Sequence, residues 1–565
     1  MRSSALLWFC LVLAGSAAAA EGAPAPSAPF RTALGSPFDD LCNRMWQVYG
    51  LVCDGAVYRF GNEPAFFEWM ALKIMWCSDE AYKAEFRRKL VGCPMSETGY
   101  VWSWGDSPRW PTGPGSLHFE NNAKYILACA RYYLWTRDDV FLESADGSRV
   151  DETDASAGMT VLDKMRAAMA YQVDVLGGDS GVLKIENGEN DGTRGGQPSN
   201  YWDNFLFGHL EGYSSIYFNA SLAAMADIED LVGSKFRAGS LRRLQRRSVM
   251  EYQRTFWDEG KGRFIGCIDA EGTRWDLGFT FLNTEAVTYG LASPEQARLI
   301  YSWLDGDRTI EGDWSSGADI YHFAWAPRST TLGVEALGEP YWWEDLFEAI
   351  TVGPDGNATF GEHLENGGAI LYTSFYDIMG RIRSGDADSA LARLRAVLDE
   401  FAEDELRRDP LNARGAPWVV GIIGEFPESG LVPTALVHGF AGLEAEAGGL
   451  CVAPTLPAAM PWLEISDVVY AGNRYTIRAA TGGVAVSCRQ GQSHSLSLCV
   501  GNLEARRSYD VVVAMPAHKR IVRRIRADAA GRLSLSAGCC MGGVIIVGDP
   551  FTTADGPSGA IDRKP

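Results

Sequence analysis

The sequence predicts a mainly α-helical domain followed by a small β-sheet domain. Through the middle of the chain, apolar side chains recur at the three- and four-residue spacing of amphipathic helices. From about Leu450, this period is replaced by short runs of β-favouring residues separated by glycine-rich turns. At 565 residues, the chain is also too long for one ordinary hydrophobic core.

The amino terminus has the pattern of a cleavable export signal. Arg2 precedes a short apolar run and then a stretch of small residues. The run is shorter than the roughly 20 residues needed to span a bilayer, and Cys10 lies inside it rather than after it, which disfavours a lipid anchor. We therefore predict a secreted protein, extracellular or periplasmic and without a membrane anchor. The predicted signal peptide covers residues 1–20, and an Ala-, Pro- and Ser-rich flexible linker covers residues 21–37.

About a dozen helices are predicted for the domain that follows, over residues 38–449. Helix-start signals support several of them, such as Ser293 before Pro294 and Asp386 before a helix-favouring run. Long loops rich in glycine and aromatic residues separate the helices. The predicted helices are Pro64–Trp76, Glu80–Leu90, His118–Leu134, Met159–Val173, Gly208–Leu231, Ser240–Phe256, Asn283–Tyr289, Pro294–Leu304, Gly368–Ile382, Ala387–Phe401 and Val432–Leu443.

A proline-rich segment from Pro454 to Ser466 marks the change to the second domain. Regularly spaced short strands favour a small antiparallel β-sandwich, which we predict for residues 450–548, with a disordered tail over residues 549–565. The predicted strands are Val468–Tyr470, Arg474–Arg478, Val484–Cys488, Leu496–Val500, Tyr509–Ala514, Ile521–Arg526, Leu533–Ser536 and Val544–Val547.

Charge and composition restrict the classes of partner. The formal net charge of −21 argues against a nucleic acid or an anionic membrane surface, because both bind basic faces. The charge does not argue against a neutral substrate. The sequence does not indicate an oligomeric state.

The cysteines and histidines give little support for a metal site. Of the 12 cysteines, 11 remain after removal of the signal. In an exported protein, Cys42 with Cys53 and Cys77 with Cys93 are close enough along the chain to be disulfide candidates. There is no Cys-x-x-Cys motif, and the 7 histidines form no His-Glu-x-x-His pattern. We therefore predict no metal and no cofactor.

The segment Asn200–Gly208, which runs into Tyr213–Asp227, resembles the loop that bears the catalytic acid, and the helix after it, in the six-hairpin glycosidase superfamily. The segment Glu365–Gly368 resembles the Asn-Gly-Gly segment of cellobiose-phosphorylase-like and debranching-type enzymes. Lastly, Glu425–Leu431 and Gly449–Pro454 resemble the end of the helical ring in rhamnosidase-like and phosphorylase-like members.

This resemblance covers about residues 39–478 and implies an (α/α)6 toroid that acts as a glycoside hydrolase on an oligo- or polysaccharide. Some family features are missing. The chain has neither the Asp-Trp-Asn-Asp of the phosphorylases nor the acidic signature of the rhamnosidases. It also lacks a clear amino-terminal β-sandwich, so no one subfamily's substrate is implied.

Hydrolysis of a glycosidic bond needs an acid that protonates the leaving oxygen and a second carboxylate. On the resemblance, Asp203 is the candidate acid, since the neighbouring aromatic rings disfavour its charged form and raise its pKa. The alternative is that Asp203 only caps the following helix. Glu425, Glu428 and Glu365 are the candidates for the second carboxylate, although an exposed loop glutamate is more often solvated surface. Because most relatives on this toroid invert, we expect inversion.

Several loop residues are candidates for sugar binding. Aromatic rings stack on the apolar faces of sugars, and Trp104 and Trp202 lie near glycine and proline residues that mark loops. About half of such tryptophans are expected to be ordinary core. The polar candidates for contacts with sugar hydroxyls are Asp191, Asn204, Asn366 and Arg328.

Three other functions compete with hydrolysis. Glycoside phosphorylases share the fold, but a secreted phosphorylase is disfavoured because a sugar phosphate made outside the cell loses its energetic advantage. A polysaccharide lyase on a related toroid would use tyrosine or histidine as its base, and histidines are scarce here. A glycan-binding protein without catalytic activity is the third alternative, because fold does not guarantee function.

Overall fold

A computed structural model describes residues 28–59, 64–77, 80–102, 118–149, 154–185, 200–202, 205, 207–337, 360–361, 365–406, 430–516 and 518–551. The predicted signal peptide and most of the predicted tail lie outside the described residues. The described part of the chain contains no helix that combines the length and apolar character needed to cross a membrane.

A helical domain comes first along the chain and a β-domain second, which confirms the predicted order. The α-helices are α1 (Phe38–Arg59), α2 (Phe67–Ile74), α3 (Glu80–Val91), α4 (Asn121–Thr136), α5 (Val161–Ala170), α6 (Gly212–Leu231), α7 (Lys235–Phe256), α8 (Thr280–Thr288), α9 (Pro294–Leu304), α10 (Thr373–Arg383) and α11 (Ala387–Asp404). Short 3₁₀ or π helices lie at Pro64–Phe66, Tyr171–Val175, Gly178–Ser180, Gly317–Tyr321, Val334–Leu337, Val432–Thr434 and Leu436–Phe440.

Local sequence explains where several helices begin. The Thr160 side chain accepts from the Asp163 backbone N–H, and the Asp163 carboxylate accepts in return, which starts α5. Ser293 and Gln296 make the same reciprocal pair at the start of α9, where Pro294 occupies the first helical position.

The even-numbered helices form a series in which each helix packs against the next. Helix α2 contacts α4, α4 contacts α6, α6 contacts α8, and α8 contacts α10. Helix α10 contacts the π helix Leu436–Phe440. The His438 ring of that π helix then makes a 2.8 Å hydrogen bond to the carbonyl of Leu72 in α2. Helices α1, α5, α7, α9 and α11 each pack beside one of these.

Four two-residue strands in the loops between helices form one sheet. They are β2 (Leu183–Lys184), β3 (Leu210–Glu211), β6 (Cys267–Ile268) and β7 (Arg274–Trp275). A separate hairpin consists of β4 (Trp257–Asp258) and β5 (Arg263–Phe264). The β2–β3–β6–β7 sheet matters for the site, because β3 ends directly before α6.

The β-domain contains two sheets. Their strands are β1 (Phe30–Thr32), β8 (Leu443–Glu446), β9 (Gly449–Val452), β10 (Trp462–Tyr470), β11 (Asn473–Ala480), β12 (Gly483–Gln490), β13 (His494–Val500), β14 (Ser508–Met515), β15 (His518–Arg526), β16 (Leu533–Cys539) and β17 (Val544–Gly548). The seven-stranded sheet has the order β1-β10-β11-β12-β17-β14-β15, and the four-stranded sheet has the order β16-β13-β9-β8.

The β-domain differs from expectation in three respects. Residues 30–32 form a strand that pairs with β10, so the predicted flexible linker is wrong there, because buried Phe30 packs on Trp46 and Trp76. The first strand of the four-stranded sheet begins at Leu443, before the predicted boundary at residue 450. Strands β9 and β13 are parallel, within an otherwise antiparallel domain.

The expected cysteine pairing is also wrong. None of Cys42, Cys77 and Cys93 is in a disulfide. The Cys77 thiol donates to the carbonyl of Lys73, one helical turn earlier. Cys42 is buried in α1, and the side chain of its proposed partner, Cys53, lies outside the described residues. Proximity along the chain therefore did not predict which thiols meet in the folded protein.

Candidate functional site

The starts of several helices meet at one group of buried side chains. Trp69, near the start of α2, lies 4.9 Å from Tyr372, which directly precedes α10, measured between ring centroids. Tyr201 lies 4.9 Å from Trp69, and its backbone N–H donates to Glu120, the residue before α4, at 2.8 Å. We call this group the acidic–aromatic cluster, and its members are Glu68, Trp69, Glu120, Lys124, Asn200, Tyr201, Trp202, Glu211, Tyr217, Phe281, Glu285, Tyr289, Tyr372 and Tyr376.

The sequence produces this cluster by placing carboxylates at helix starts. Glu211 precedes α6, and its carboxylate accepts from the Ser214 backbone N–H at 3.1 Å, which caps the helix. The same oxygen accepts from the Asn200 side-chain amide at 2.6 Å. Glu211 therefore joins a helix start to the loop that carries Tyr201 and Trp202.

Tyrosine hydroxyls hold two more of the buried glutamates, Glu285 and Glu68. Glu285 accepts from Tyr217 at 2.8 Å and from Tyr372 at 3.3 Å. The Tyr289 hydroxyl donates to Glu68. These hydrogen bonds connect α2, α6, α8 and the residue before α10 within the cluster.

Burial raises the pKa of these carboxyl groups. It raises the pKa of Glu211 to about 8, and the nearby charge of Glu120 adds to the rise. Burial also raises the pKa of Glu285 to about 8, against the opposing charge of Lys124. Burial raises the pKa of Glu68 as well. At neutral pH, Glu211 and Glu285 are therefore mainly protonated.

Lys124 supplies a positive charge inside the cluster. Its ammonium nitrogen lies 3.6 Å from the centroid of the Trp69 ring and 4.4 Å from that of Tyr217. The electron-rich faces of both rings attract the cation. Lys124 also opposes the rise in pKa of Glu68 and Glu285.

Several buried polar atoms of the cluster have no hydrogen-bond partner among the described residues. They are Oε2 of Glu68, Oε2 of Glu120, Oε2 of Glu211 and Nε1 of Trp202. Buried polar atoms in native proteins are normally hydrogen bonded. The protonated Oε2 of Glu211 and Nε1 of Trp202 can therefore donate hydrogen bonds, and the carboxyl oxygens of Glu68 and Glu120 can accept them, which suits a polyhydroxylated ligand.

Trp202 is placed at the edge of this cluster. It is buried, and its ring stacks on Phe281 at 3.5 Å between centroids and 13° between planes. Its backbone N–H donates to the Asn200 side-chain oxygen at 2.9 Å. Because the side chain is fully buried, with one ring face covered by Phe281, neither face of the ring is open for a sugar to stack on.

Arg328, Glu365 and Asn366 lie together in a neighbouring pair of loops. The Arg328 guanidinium donates to the carbonyl of Gly367 at 2.6 Å, and the Ser329 hydroxyl donates to the carbonyl of Glu365 at 2.8 Å. The Thr280 hydroxyl, next to Phe281, donates to the carbonyl of Arg328. These loops therefore border the cluster on the Trp202 side.

Arg328 and Asn366 use their polar groups within the loops. Arg328 also donates to Asp319, and the Asn366 amide accepts from the Val334 backbone N–H and donates to Glu335. Both side chains thus shape the loops. The sequence assigned them to sugar contacts because a loop asparagine or arginine looks the same in either role.

The remaining predicted site residues are Asp203, Asn204, Asp191, Trp104, Glu425 and Glu428, which lie outside the described residues. Their roles stay predictions. The sequence analysis missed Glu68, Glu120, Glu211, Glu285 and Lys124. A charged residue inside an apolar helical run, such as Glu285 in Thr280–Thr288, was the available signal.

The cluster does not bring together a metal-binding set. Over the described ranges, three potential ligand atoms approach within 4.8 Å of one another only at Glu446, Cys451 and Cys499, in the β-domain. The Arg532 guanidinium forms an ion pair with Glu446 there.

Comparison with known proteins supports the fold. No family model and no curated protein matches this sequence. Among solved structures, the chain is similar to a GH78 family rhamnosidase of Bacillus sp. GL1, with a TM-score of 0.51, 14% identity and coverage of 82% of this chain and 42% of the other. It is similar to a rhamnosidase from Klebsiella oxytoca at a TM-score of 0.44 and 12% identity, with coverage of 74% and 66%.

A third similar structure is described as a kojibiose phosphorylase from the human microbiome, with a TM-score of 0.36, 9% identity and coverage of 84% of this chain and 60% of the other. The chain thus spans less than half of the first of these proteins. The likeness to the GH78 family rhamnosidase shows a fold in common with that protein, and membership of the six-hairpin glycosidase superfamily stays a prediction.

Proposed function

We propose that this protein is a glycoside hydrolase that acts on an oligo- or polysaccharide. The observation that carries the proposal is the acidic–aromatic cluster, in which buried carboxyl groups with raised pKa lie among tyrosine and tryptophan rings. Glycoside hydrolysis needs such carboxyl groups, and sugar binding uses aromatic rings and hydroxyl acceptors. The fold likeness to a rhamnosidase agrees with it.

The proposal includes an (α/α)6 toroid. The order of helix contacts supports it, because α2, α4, α6, α8 and α10 follow one another and the π helix Leu436–Phe440 returns to α2 through His438. Helix starts then gather at one end of the ring, where loops can bring distant residues together.

Asp203 is the proposed general acid. It directly follows Trp202, whose backbone is held by Asn200, and the loop is held in turn by Glu120 and Glu211. An aspartate next to this apolar, ring-rich site has its charged form disfavoured. Glu120 is a positioning residue in this scheme, because it fixes the Tyr201 backbone.

Glu425 or Glu428 is the proposed general base, with Glu365 as the alternative. The described loop contacts of Glu365 put its backbone beside the cluster. The proposed outcome is inversion, which requires the two carboxyl groups to stand roughly 6.5–9.5 Å apart so that water fits between the base and the anomeric carbon. We also propose that the protein is secreted.

Product analysis tests this function directly. The purified protein is incubated with a glycan panel that includes α-rhamnosides, with and without inorganic phosphate, and products are identified by mass spectrometry and proton NMR. We expect free reducing sugars that do not depend on phosphate, released with inverted configuration.

The same assay identifies each alternative. Sugar phosphates would indicate a phosphorylase, and an unsaturated product that absorbs in the ultraviolet would indicate a lyase. Glycan binding without turnover on any substrate would indicate a non-catalytic protein. Each of these results contradicts the proposal.

A further inference from the structure

Strand register places two cysteines side by side in the β-domain. Strands β9 and β13 run parallel, and Cys451 is the register partner of Cys499. Neighbouring strands lie about 4.7–4.9 Å apart, which falls within the Cα separation of about 4.4–6.8 Å that a disulfide requires. The two sulfur atoms and a Glu446 carboxylate oxygen all lie within 4.8 Å of one another.

A positive charge adjoins this pair. The Arg532 guanidinium lies 3.6 Å from the Cys451 sulfur and forms an ion pair with Glu446. The hydrogen bond from the Cys451 thiol, together with the charge of Arg532, lowers the pKa of Cys499. Cys499 is partly exposed and Cys451 is buried. One thiol is therefore both ionised more readily and accessible to solvent, which is the environment of a reactive cysteine.

The guanidinium also decides between two uses of the group. A bound cation would need the Glu446 carboxylate and both thiolates, but Arg532 already neutralises that carboxylate and lies against Cys451. Thiol oxidation does not need a free Glu446 carboxylate, and a neighbouring positive charge favours it because the charge stabilises the reacting thiolate. The arrangement therefore favours sulfur chemistry over metal binding.

We propose that Cys451 and Cys499 form a reversible disulfide when the protein meets a low-molecular-weight disulfide. The Cys499 thiolate attacks one sulfur of the oxidant, a mixed disulfide forms, and one small thiolate leaves. Cys451 then loses its proton to solvent and attacks the Cys499 sulfur, which releases the second small thiol. The two cysteines together lose two electrons and two protons, and the oxidant is reduced to two thiols.

This disulfide would connect neighbouring strands that lie far apart along the chain. Strand β9 forms a hairpin with β8, which follows the helical domain, whereas three strands of the other sheet, β10, β11 and β12, come between β9 and β13 in the sequence. The cross-link closes a loop in the unfolded chain and lowers its conformational entropy, which stabilises the folded state relative to the unfolded one. The site is separate from the acidic–aromatic cluster and does not depend on the proposed function.

Thiol mapping tests the proposal. The full-length protein is incubated with glutathione disulfide, alkylated with iodoacetamide and digested without reductant. We expect a Cys451–Cys499 cross-linked peptide that disappears after dithiothreitol, and an unfolding temperature several degrees higher in the oxidised protein. Alkylation of both cysteines after oxidation, or a cross-link from either to another cysteine, would overturn the proposal.

Three variants sharpen the test. In Cys451→Ser, Cys499 should retain bound glutathione, because the resolving thiol is missing. Arg532→Gln should slow the reaction of Cys499 several-fold at neutral pH, and the difference should shrink at alkaline pH. Cys77→Ser, a change at a partly buried cysteine outside the pair, serves as the control and should leave cross-linking unchanged. Equal rates in Arg532→Gln and the parent at neutral pH would contradict the proposed role of the charge.

Discussion

The side-chain amide of Asn200 donates a 2.6 Å hydrogen bond to the carboxyl group of Glu211, and its oxygen accepts from the backbone of Trp202 at 2.9 Å. This one buried residue connects the start of α6 to the loop proposed to carry the catalytic acid. Because burial raises the pKa of Glu211 to about 8, the contact at neutral pH involves mainly a protonated acid.

Replacing Asn200 by Ala should lower activity. The change removes both hydrogen bonds and loosens the backbone beside Asp203, so we expect kcat/KM to fall about 10- to 100-fold, equivalent to about 1–3 kcal/mol for buried hydrogen bonds. Steady-state kinetics on the best substrate from the panel measures this. Asn200→Asp, which keeps the acceptor for Trp202, should lose less, and an Ala variant with parental kcat/KM would show that the loop needs no such anchor.

Stability should fall as pH rises from about 4.5 to 8. Glu211 and Glu285 have folded-state pKa values of about 8, above the ordinary value of 4.5. Between these values the folded protein binds more protons than the unfolded chain, so each group lowers the free energy of unfolding by at most about 1.4 kcal/mol per pH unit. Thermal unfolding at pH 5 to 8 measures the slope.

Variants at these two glutamates identify the source of that slope. Glu285→Gln and Glu211→Gln imitate the protonated acids, and each should flatten the dependence of unfolding temperature on pH. Glu251→Gln, at a glutamate partly exposed on α7, is the matched control and should keep the parental slope. If neither buried substitution changes the slope, the raised pKa values do not govern stability.

Asp203→Asn should remove the proton donor while it preserves the shape of the side chain. Activity on substrates with poor leaving groups should fall about 10²–10⁴-fold, the usual contribution of general acid catalysis. Activated aryl glycosides need little protonation and should lose much less. Rate measurements on both substrate types decide this, with Asp179→Asn at an exposed position as control. Parental rates on the natural substrate would remove Asp203 from the role.

Phe30→Ala should destabilise the protein although Phe30 lies near the amino terminus of the described chain. Phe30 is fully buried, 5.8 Å from Trp46 and 6.2 Å from Trp76 between ring centroids. Truncation of a buried phenylalanine costs about 3–5 kcal/mol, which denaturant unfolding would show. Arg31→Ala, on the exposed side of the same strand, should change stability by less than about 0.5 kcal/mol. Equal effects of the two changes would mean that β1 does not pack as described.

The sequence by itself determined the order of the two domains and most of the later helices and strands, although it did not indicate α1 or β1. Helix α9 spans Pro294–Leu304 as predicted, because Ser293 and Gln296 form a capping pair within four residues of each other. The run Val484–Cys488 lies within β12 for a similar reason, since strand-favouring residues and glycine turns are local signals. The superfamily resemblance was also readable from short segments such as Asn200–Gly208.

Only the tertiary structure decided which residues meet. Glu68, Glu120, Glu211 and Glu285 lie on four different helices or their caps, and nothing in the local sequence shows that these four side chains meet. Cys451 and Cys499 became neighbours through strand register, whereas Cys77 and Cys93, closer along the chain, did not pair. Hydrophobic periodicity is encoded within a few residues, but contacts between distant residues depend on how whole helices and sheets pack.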